Sequence, residues 1–201
     1  MKLRRIFLFL PVLIVLLGLV GCITSVGKKY YQLHLDSMGP GTTDKGAVHT
    51  GNKVLLVEAV EVEDIYNDFR VVYRTSPYQL NYYSYNFWIK KPGKLVRDSI
   101  TDYLSKSNIF KKVIKDYSEG SPDLLLKAVV HILEEFDQPG VWFAHLKMDI
   151  EIKDFKSNQT VLSHSFDRHR RLSQKKVERL PMAISRILKE ELDKVIKKLG
   201  Q

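Results

Sequence analysis

The chain has 201 residues, enough for one domain with a sizeable core. Hydrophobic residues make up 44% and charged residues 27%, which excludes wholesale disorder and collagen-like or low-complexity chains. A single cysteine excludes an intrachain disulfide framework and every multi-cysteine zinc site.

The 32 basic and 23 acidic residues give a net charge of +9, which taken alone points to nucleic acid or an anionic surface. The amino terminus changes that reading. Lys2, Arg4 and Arg5 precede an apolar run from Ile6 to Val20. At 1.5 Å per residue the run spans roughly 22 Å, short of the ~30 Å hydrocarbon core, so it predicts a signal peptide rather than a spanning helix. It closes with Leu19-Val20-Gly21-Cys22, which resembles the bacterial lipobox. The resemblance implies cleavage after Gly21, with Leu19 as the leucine of the motif, a diacylglyceryl thioether on Cys22, and acylation of the new amino terminus. Two or three long chains, at ~0.8 kcal/mol per buried methylene, contribute more than about 15 kcal/mol gross and anchor the protein permanently. Ile23 in place of Asp points, in enteric-type bacteria, to the outer membrane and its periplasmic face. Cleavage leaves 29 basic against 23 acidic residues, +6. A periplasmic lipoprotein does not meet the genome, so no nucleic-acid partner is expected; phospholipid headgroups or an acidic protein remain. The organisation read is a signal peptide over 1–21, an acylated tether over 22–29 and a single domain over 30–201.

In the mature chain, Lys29 to Leu35 alternates with period 2 and predicts a first strand. Residues 36–51 hold four glycines, a proline and three threonines, a loop composition. Lys53 to Val62 is apolar on both parities, which predicts a central, doubly covered strand. Phe69 to Tyr85 predicts a hairpin turning at Pro77. From Pro92 the period becomes helical, with Leu95, Val96, Ile100, Tyr103 and Leu104 on one side. Phe110 to Ile114 predicts a short strand. Leu124 to Ile132 and Trp142 to Lys153 predict two long half-buried antiparallel strands joined at Pro139-Gly140, and Thr160 to Leu172 a third. Asn158-Gln159-Thr160, although it matches a glycosylation acceptor, is read as a turn. Val177 to Leu199 is an amphipathic helix with Pro181 in its first turn, and Gly200 ends it. The fold class is α+β: a mostly antiparallel sheet with two amphipathic helices packed on one face.

Tyr30-Tyr31-Gln32-Leu33, Val54 to Val62, Val71-Val72-Tyr73-Arg74 and above all Tyr82-Tyr83-Ser84-Tyr85-Asn86-Phe87-Trp88 with the Pro92 helix resemble the ABC-type transport auxiliary lipoproteins, the PqiC and YmbA-like group. The resemblance implies an outer-membrane-anchored periplasmic subunit working beside an ABC permease and ATPase and an MCE-domain (mammalian cell entry) protein. Such a system moves lipids or other hydrophobic molecules between membranes, and a homo-oligomeric ring is compatible with it. Two alternatives stand beside docking: a direct lipid carrier, and an assembly factor for an outer-membrane or lipopolysaccharide-export complex.

The residues offer little for catalysis. No serine stands in a nucleophile elbow, and no phosphate-cradling glycine loop is present. Glu61, Glu63 and Asp64 read as the solvated end of a strand, and His131 and His145 fall on polar parities of neighbouring strands with no third metal ligand in view. The expectation is therefore no enzyme and no cofactor beyond the lipid on Cys22. Tyr82, Tyr83, Tyr85 and Trp88 are the candidate partner contacts, because amphipathic aromatics are favoured at interfaces. Arg168, Arg170 and Arg171, in the densest basic run, are the candidates for an anionic surface. Lys189, Lys194, Lys197 and Lys198, balanced by Glu190, Glu191 and Asp193, read as a solvated helix face.

Overall fold

The computed structural model describes residues 27–35 and 52–200. Its elements are β1 (Lys29–Tyr31), β2 (Val54–Val57), β3 (Glu61–Val62), β4 (Arg70–Ser76), β5 (Gln79–Trp88), α1 (Pro92–Lys106), β6 (Lys112–Ile114), β7 (Leu124–Gln138), β8 (Val141–Asp154), β9 (Thr160–Arg171) and α2 (Leu180–Leu199). One sheet contains all the strands, and β7 is its axis. Along one edge, β7 pairs antiparallel with β8 over its whole length, and β8 pairs with β9. Its other edge is shared out in succession to β2, β3 and β4, all parallel to it. Beyond them lie β6 on β2, then β5 on β4 and β1 on β5. The long ladders are antiparallel, and the parallel ones are two or three residues each.

The expected central strand is interrupted. Leu55 to Val57 pair with Leu124 to Leu126, whereas Glu61 and Val62 pair with Val129 and Val130, so one extra residue sits on this side. The interruption accommodates α1. A Cβ on Gly93 would lie 2.7 Å from the Val60 carbonyl oxygen, so the helix reaches the strand closely only because residue 93 has no side chain. Arg97 then donates to the Val57 carbonyl at 2.8 and 3.0 Å. The first strand is likewise shorter than expected: β1 stops at Tyr31, yet Leu33 and Leu35 continue into the core. There the His34 amide donates to Ser185 Oγ on α2 at 3.0 Å.

Both helices lie on one face because that face carries the apolar parity. Leu126, Val130, Met148, Ile150 and Ile152 meet Val96, Ile100, Leu104, Ile184, Leu188 and Leu192, all 0–2% exposed. Dense packing of this kind is what makes large-to-small changes there costly. At His131, β7 bulges, and Val130 pairs with Met148 while Ile132 pairs with Lys147. Past the bulge the helix-facing parity is Leu133, Glu135 and Asp137, opposite Leu146, Ala144 and Trp142.

Candidate functional site

Three groups of side chains stand out, two on the face of the sheet away from the helices. The first is a buried ion network. Glu134, with no exposed side-chain surface, accepts from Arg74 Nε at 2.7 Å and from the Tyr66 hydroxyl at 2.7 Å, and faces His145 Nδ1 at 3.3 Å. Arg74 Nη2 also reaches the Tyr66 oxygen at 3.0 Å, closing the ring. Burial opposes ionisation of Glu134, but the bonds from His145, Arg74 and Tyr66 outweigh it and hold the carboxyl below its usual range. His145 continues the network: its Nε2 faces Asp167 at 2.8 Å, and its ring stacks on His169 at 3.8 Å. Burial and the neighbouring His145 push the His169 pKa down.

The histidine geometry differs from the sequence expectation. His145 is buried despite its polar parity, because the β7–β8 register sets it opposite Glu134, which Tyr66 and Arg74 cover. Its neighbour is His169, whereas His131 binds Asp149 at 2.7 Å and approaches Glu63 at 3.4 Å. The Asp149 bond, partly opposed by burial, raises the His131 pKa. His145, Asp167 and His169 each offer one ligand atom, all within 4.8 Å of one another, so this trio is chemically able to hold a divalent cation. Glu61, Glu63 and Asp64 are exposed at the end of β3.

The second group is the aromatic edge. Alternation along the chain predicts Tyr83, Tyr85 and Phe87 on one face and Tyr82 with Trp88 on the other. The structure breaks this pattern. Phe87 pairs with Arg70 and Tyr82 with Val72, so two residues on β4 face five on β5. Tyr82 and Phe87 therefore share the face away from the helices, where the Arg70 guanidinium lies 4.1 Å from the centre of the Tyr82 ring. Trp88 points to the helices and is 1% exposed: it is a core residue, not a surface contact. Tyr83 is half-buried, donates to Glu135 at 2.9 Å and packs on Tyr73 at 4.5 Å. Tyr82 donates to the Ile65 carbonyl at 2.9 Å. Tyr85 alone of the four is substantially exposed, at 49%. It is joined by Tyr30, which pairs with and packs on Phe87 at 5.7 Å, and by Ile89 and Phe69. The outward aromatic edge is thus Tyr30, Tyr85 and Phe87, one of the three supplied by β1, which sequence distance hid.

The third group is the basic run at the end of β9. Arg168 Nε donates to Glu191 at 2.8 Å, and Arg170 Nη2 to both oxygens of Glu190 at 2.5 and 2.6 Å. Arg171 is exposed and has no side-chain partner among the described residues. Two of the three arginines thus already have carboxylate partners on α2. Glu191 is not on a solvated face: it is 1% exposed and also accepts from His164 Nε2 at 2.8 Å and Lys194 Nζ at 2.7 Å. Burial opposes its ionisation, yet Arg168, Lys194 and His164 together pull its pKa down to about 2. Leu19, Gly21 and Cys22 lie outside the described residues.

A helix-backed sheet that locks its buried charges into internal networks and sets aromatics along one edge defines a small α+β module with surfaces for contact. The chain belongs to the family of ABC-type transport auxiliary lipoprotein components, which matches residues 31–195. That is a family of transport auxiliary lipoproteins and not of enzymes. Among solved structures, a Xanthomonas campestris protein of the DUF330 family is similar at 18% identity, TM-score 0.71, over 85% of this chain and 95% of its own. An uncharacterised protein is similar at 18% identity, TM-score 0.69, over 86% and 99%. A hypothetical protein of Chlamydia trachomatis follows at 9% identity, TM-score 0.51, over 74% and 98%. At these identities the likeness is one of fold. No curated protein matches the chain by sequence. Among the described residues, no helix is long and apolar enough to cross a membrane.

Proposed function

We propose that this lipoprotein is the docking subunit of an ABC transport system: acyl chains on Cys22 hold it in the outer membrane, and the folded domain receives an MCE-domain partner that bridges the periplasm. The observation that carries this reading is the aromatic edge on which Tyr30 and Tyr85 are exposed and Phe87 half-buried, beside a tightly buried core. Amphipathic rings held outward by a bulge are contact anchors. A carrier, by contrast, has to open an apolar space between sheet and helices, and the residues there are 0–2% exposed. The transported molecule on this reading is a lipid or another hydrophobic compound, and copies of the chain surround the partner as a ring.

Affinity purification of the processed lipoprotein should recover an MCE-domain protein together with permease and ATPase. Tyr30→Ala with Tyr85→Ala should abolish that recovery and leave the melting temperature unchanged. Stoichiometric lipid in the purified protein favours the carrier, recovery of an outer-membrane β-barrel favours the assembly factor, and either overturns docking.

A further inference from the structure

A cavity of about 290 Å³ opens between the end of β9 and the first turns of α2, lined by Arg170, Arg171, Ser173, Arg179 and Arg186, with Met182 on its wall. Four arginines line this space, Arg170 and Arg171 at the end of β9, Arg179 in the turn before α2 and Arg186 within it, so positive charge and its mutual repulsion gather here, and no acidic residue among the described residues lines it. Arg170 is bound through Nη2 to Glu190, while its Nε is buried and has no partner. Arg171, Arg179 and Arg186 have no side-chain acceptor among the described residues. Guanidinium does not lose its proton in proteins, so this repulsion cannot be relieved by titration. An anion carrying several acceptor oxygens relieves it, and phosphate matches the forked donors. A second basic hollow, beside α1, contrasts with it: there Asp98 and Asp116 stand among Lys91, Lys94, Arg97 and Lys115. There Lys115 is paired with Asp98, and Arg97 is taken up by the Val57 carbonyl.

The position of the cavity says where the phosphate comes from. Lys29 Nζ bonds Glu178 Oε1 at 2.6 Å, which seats the beginning of β1 beside the residue that precedes Arg179. Cys22 is seven residues upstream, a reach of at most about 25 Å at ~3.6 Å per residue. The lipid-bearing end of the chain is therefore leashed to the side of the domain where the arginines gather. Met182, 46% exposed, adds an apolar group beside the charges, as a site at a headgroup boundary requires. We infer that this cavity binds the phosphate of an anionic phospholipid in the membrane that holds the acyl anchor, and so fixes the orientation of the domain on the bilayer. The inference rests on lipidation of Cys22.

The test uses the processed lipoprotein carrying Met182→Cys, labelled with an environment-sensitive fluorophore. It is reconstituted in vesicles of phosphatidylcholine alone or with added phosphatidylglycerol. Because Cys22 is the only native cysteine, mass spectrometry showing label at residue 22 reports failure of the lipidation reading separately from the cavity. The expected result is a blue-shifted emission in the anionic vesicles only, reversed by salt. At about 1 kcal/mol per basic residue near the surface, the ratio of docked to undocked label should fall about fivefold for each of Arg171→Gln, Arg179→Gln and Arg186→Gln. These positions are exposed, and circular dichroism checks that each variant is folded. The same spectrum in both vesicles, or no effect of the three substitutions, overturns the site. A shift produced by inorganic phosphate in phosphatidylcholine vesicles overturns the lipid as the source.

Discussion

Glu191 offers a quantitative test of how α2 is fastened to the sheet. Its carboxylate is buried and bound by Arg168, His164 and Lys194, and its pKa falls from 4.5 to about 2. The folded value lies below the unfolded one, so in this window the unfolded chain binds the extra proton and stability declines as the pH drops. A difference of about 2.5 units corresponds to about 3 kcal/mol of stability at neutral pH, of which about 2 kcal/mol is gone by pH 3. Glu191→Gln keeps the shape and removes the charge. It should destabilise the protein by about 3 kcal/mol at pH 7, or roughly 6–12 °C in melting temperature. At pH 3, where the unfolded carboxyl is largely protonated while the folded one is still mostly ionised, the gap between the two proteins should narrow to about 1 kcal/mol. Urea unfolding followed by circular dichroism at the two pH values measures both gaps. Equal gaps at pH 7 and pH 3 would refute the reasoning, since the loss would then come from packing and not from the charge.

Two other buried carboxylates carry predictions of opposite sign. Burial and the neighbouring Asp137, against a bond from Tyr83, push Glu135 up to about 7. Glu135 Oε2 and Asp137 Oδ1 are both buried without partners. Here the unfolded chain loses its proton first as the pH rises, so stability falls between about 4.5 and 7; Glu135→Gln should be more stable than the native protein at pH 8 and indistinguishable at pH 4, as read by thermal melts. Arg74→Ala strips the main counter-charge from Glu134 and should cost about 3–5 kcal/mol, whereas Arg74→Ala with Glu134→Leu should recover most of the loss, because no buried charge remains; an additive double variant in urea titrations speaks against the network.

Local pattern carried most of the element list, because period 2 and period 3.6 are properties of consecutive residues. Leu124 to Ile132, Trp142 to Lys153 and the stripe from Leu180 to Val195 each declare their buried side within a single element. The aromatic site was legible in composition but not in direction. Tyr82 and Trp88 share a parity in the chain, and the β5 bulge places them on opposite faces; a bulge depends on how two strands are paired, which neither strand records alone. The same holds for Glu134 and Glu135, adjacent residues buried on opposite faces, one against Arg74 and Tyr66 and the other against Tyr83. Tyr30 entered the aromatic edge only through its pairing with Phe87, 57 positions away.

The amino-acid order by itself determined the α+β class, the two helices with their apolar stripes, and the family, since short-range periodicity and motif residues need no knowledge of the rest of the molecule. Only the tertiary structure decided which charges are paired and which are spare. Arg168 and Arg170 look like Arg171 in the chain, yet Glu191 and Glu190 claim the first two and leave the third facing open space. The reason is physical. A charge is buried, satisfied or exposed according to what the fold carries to within a few ångströms of it, and these carboxylates arrive from a helix some twenty residues further on.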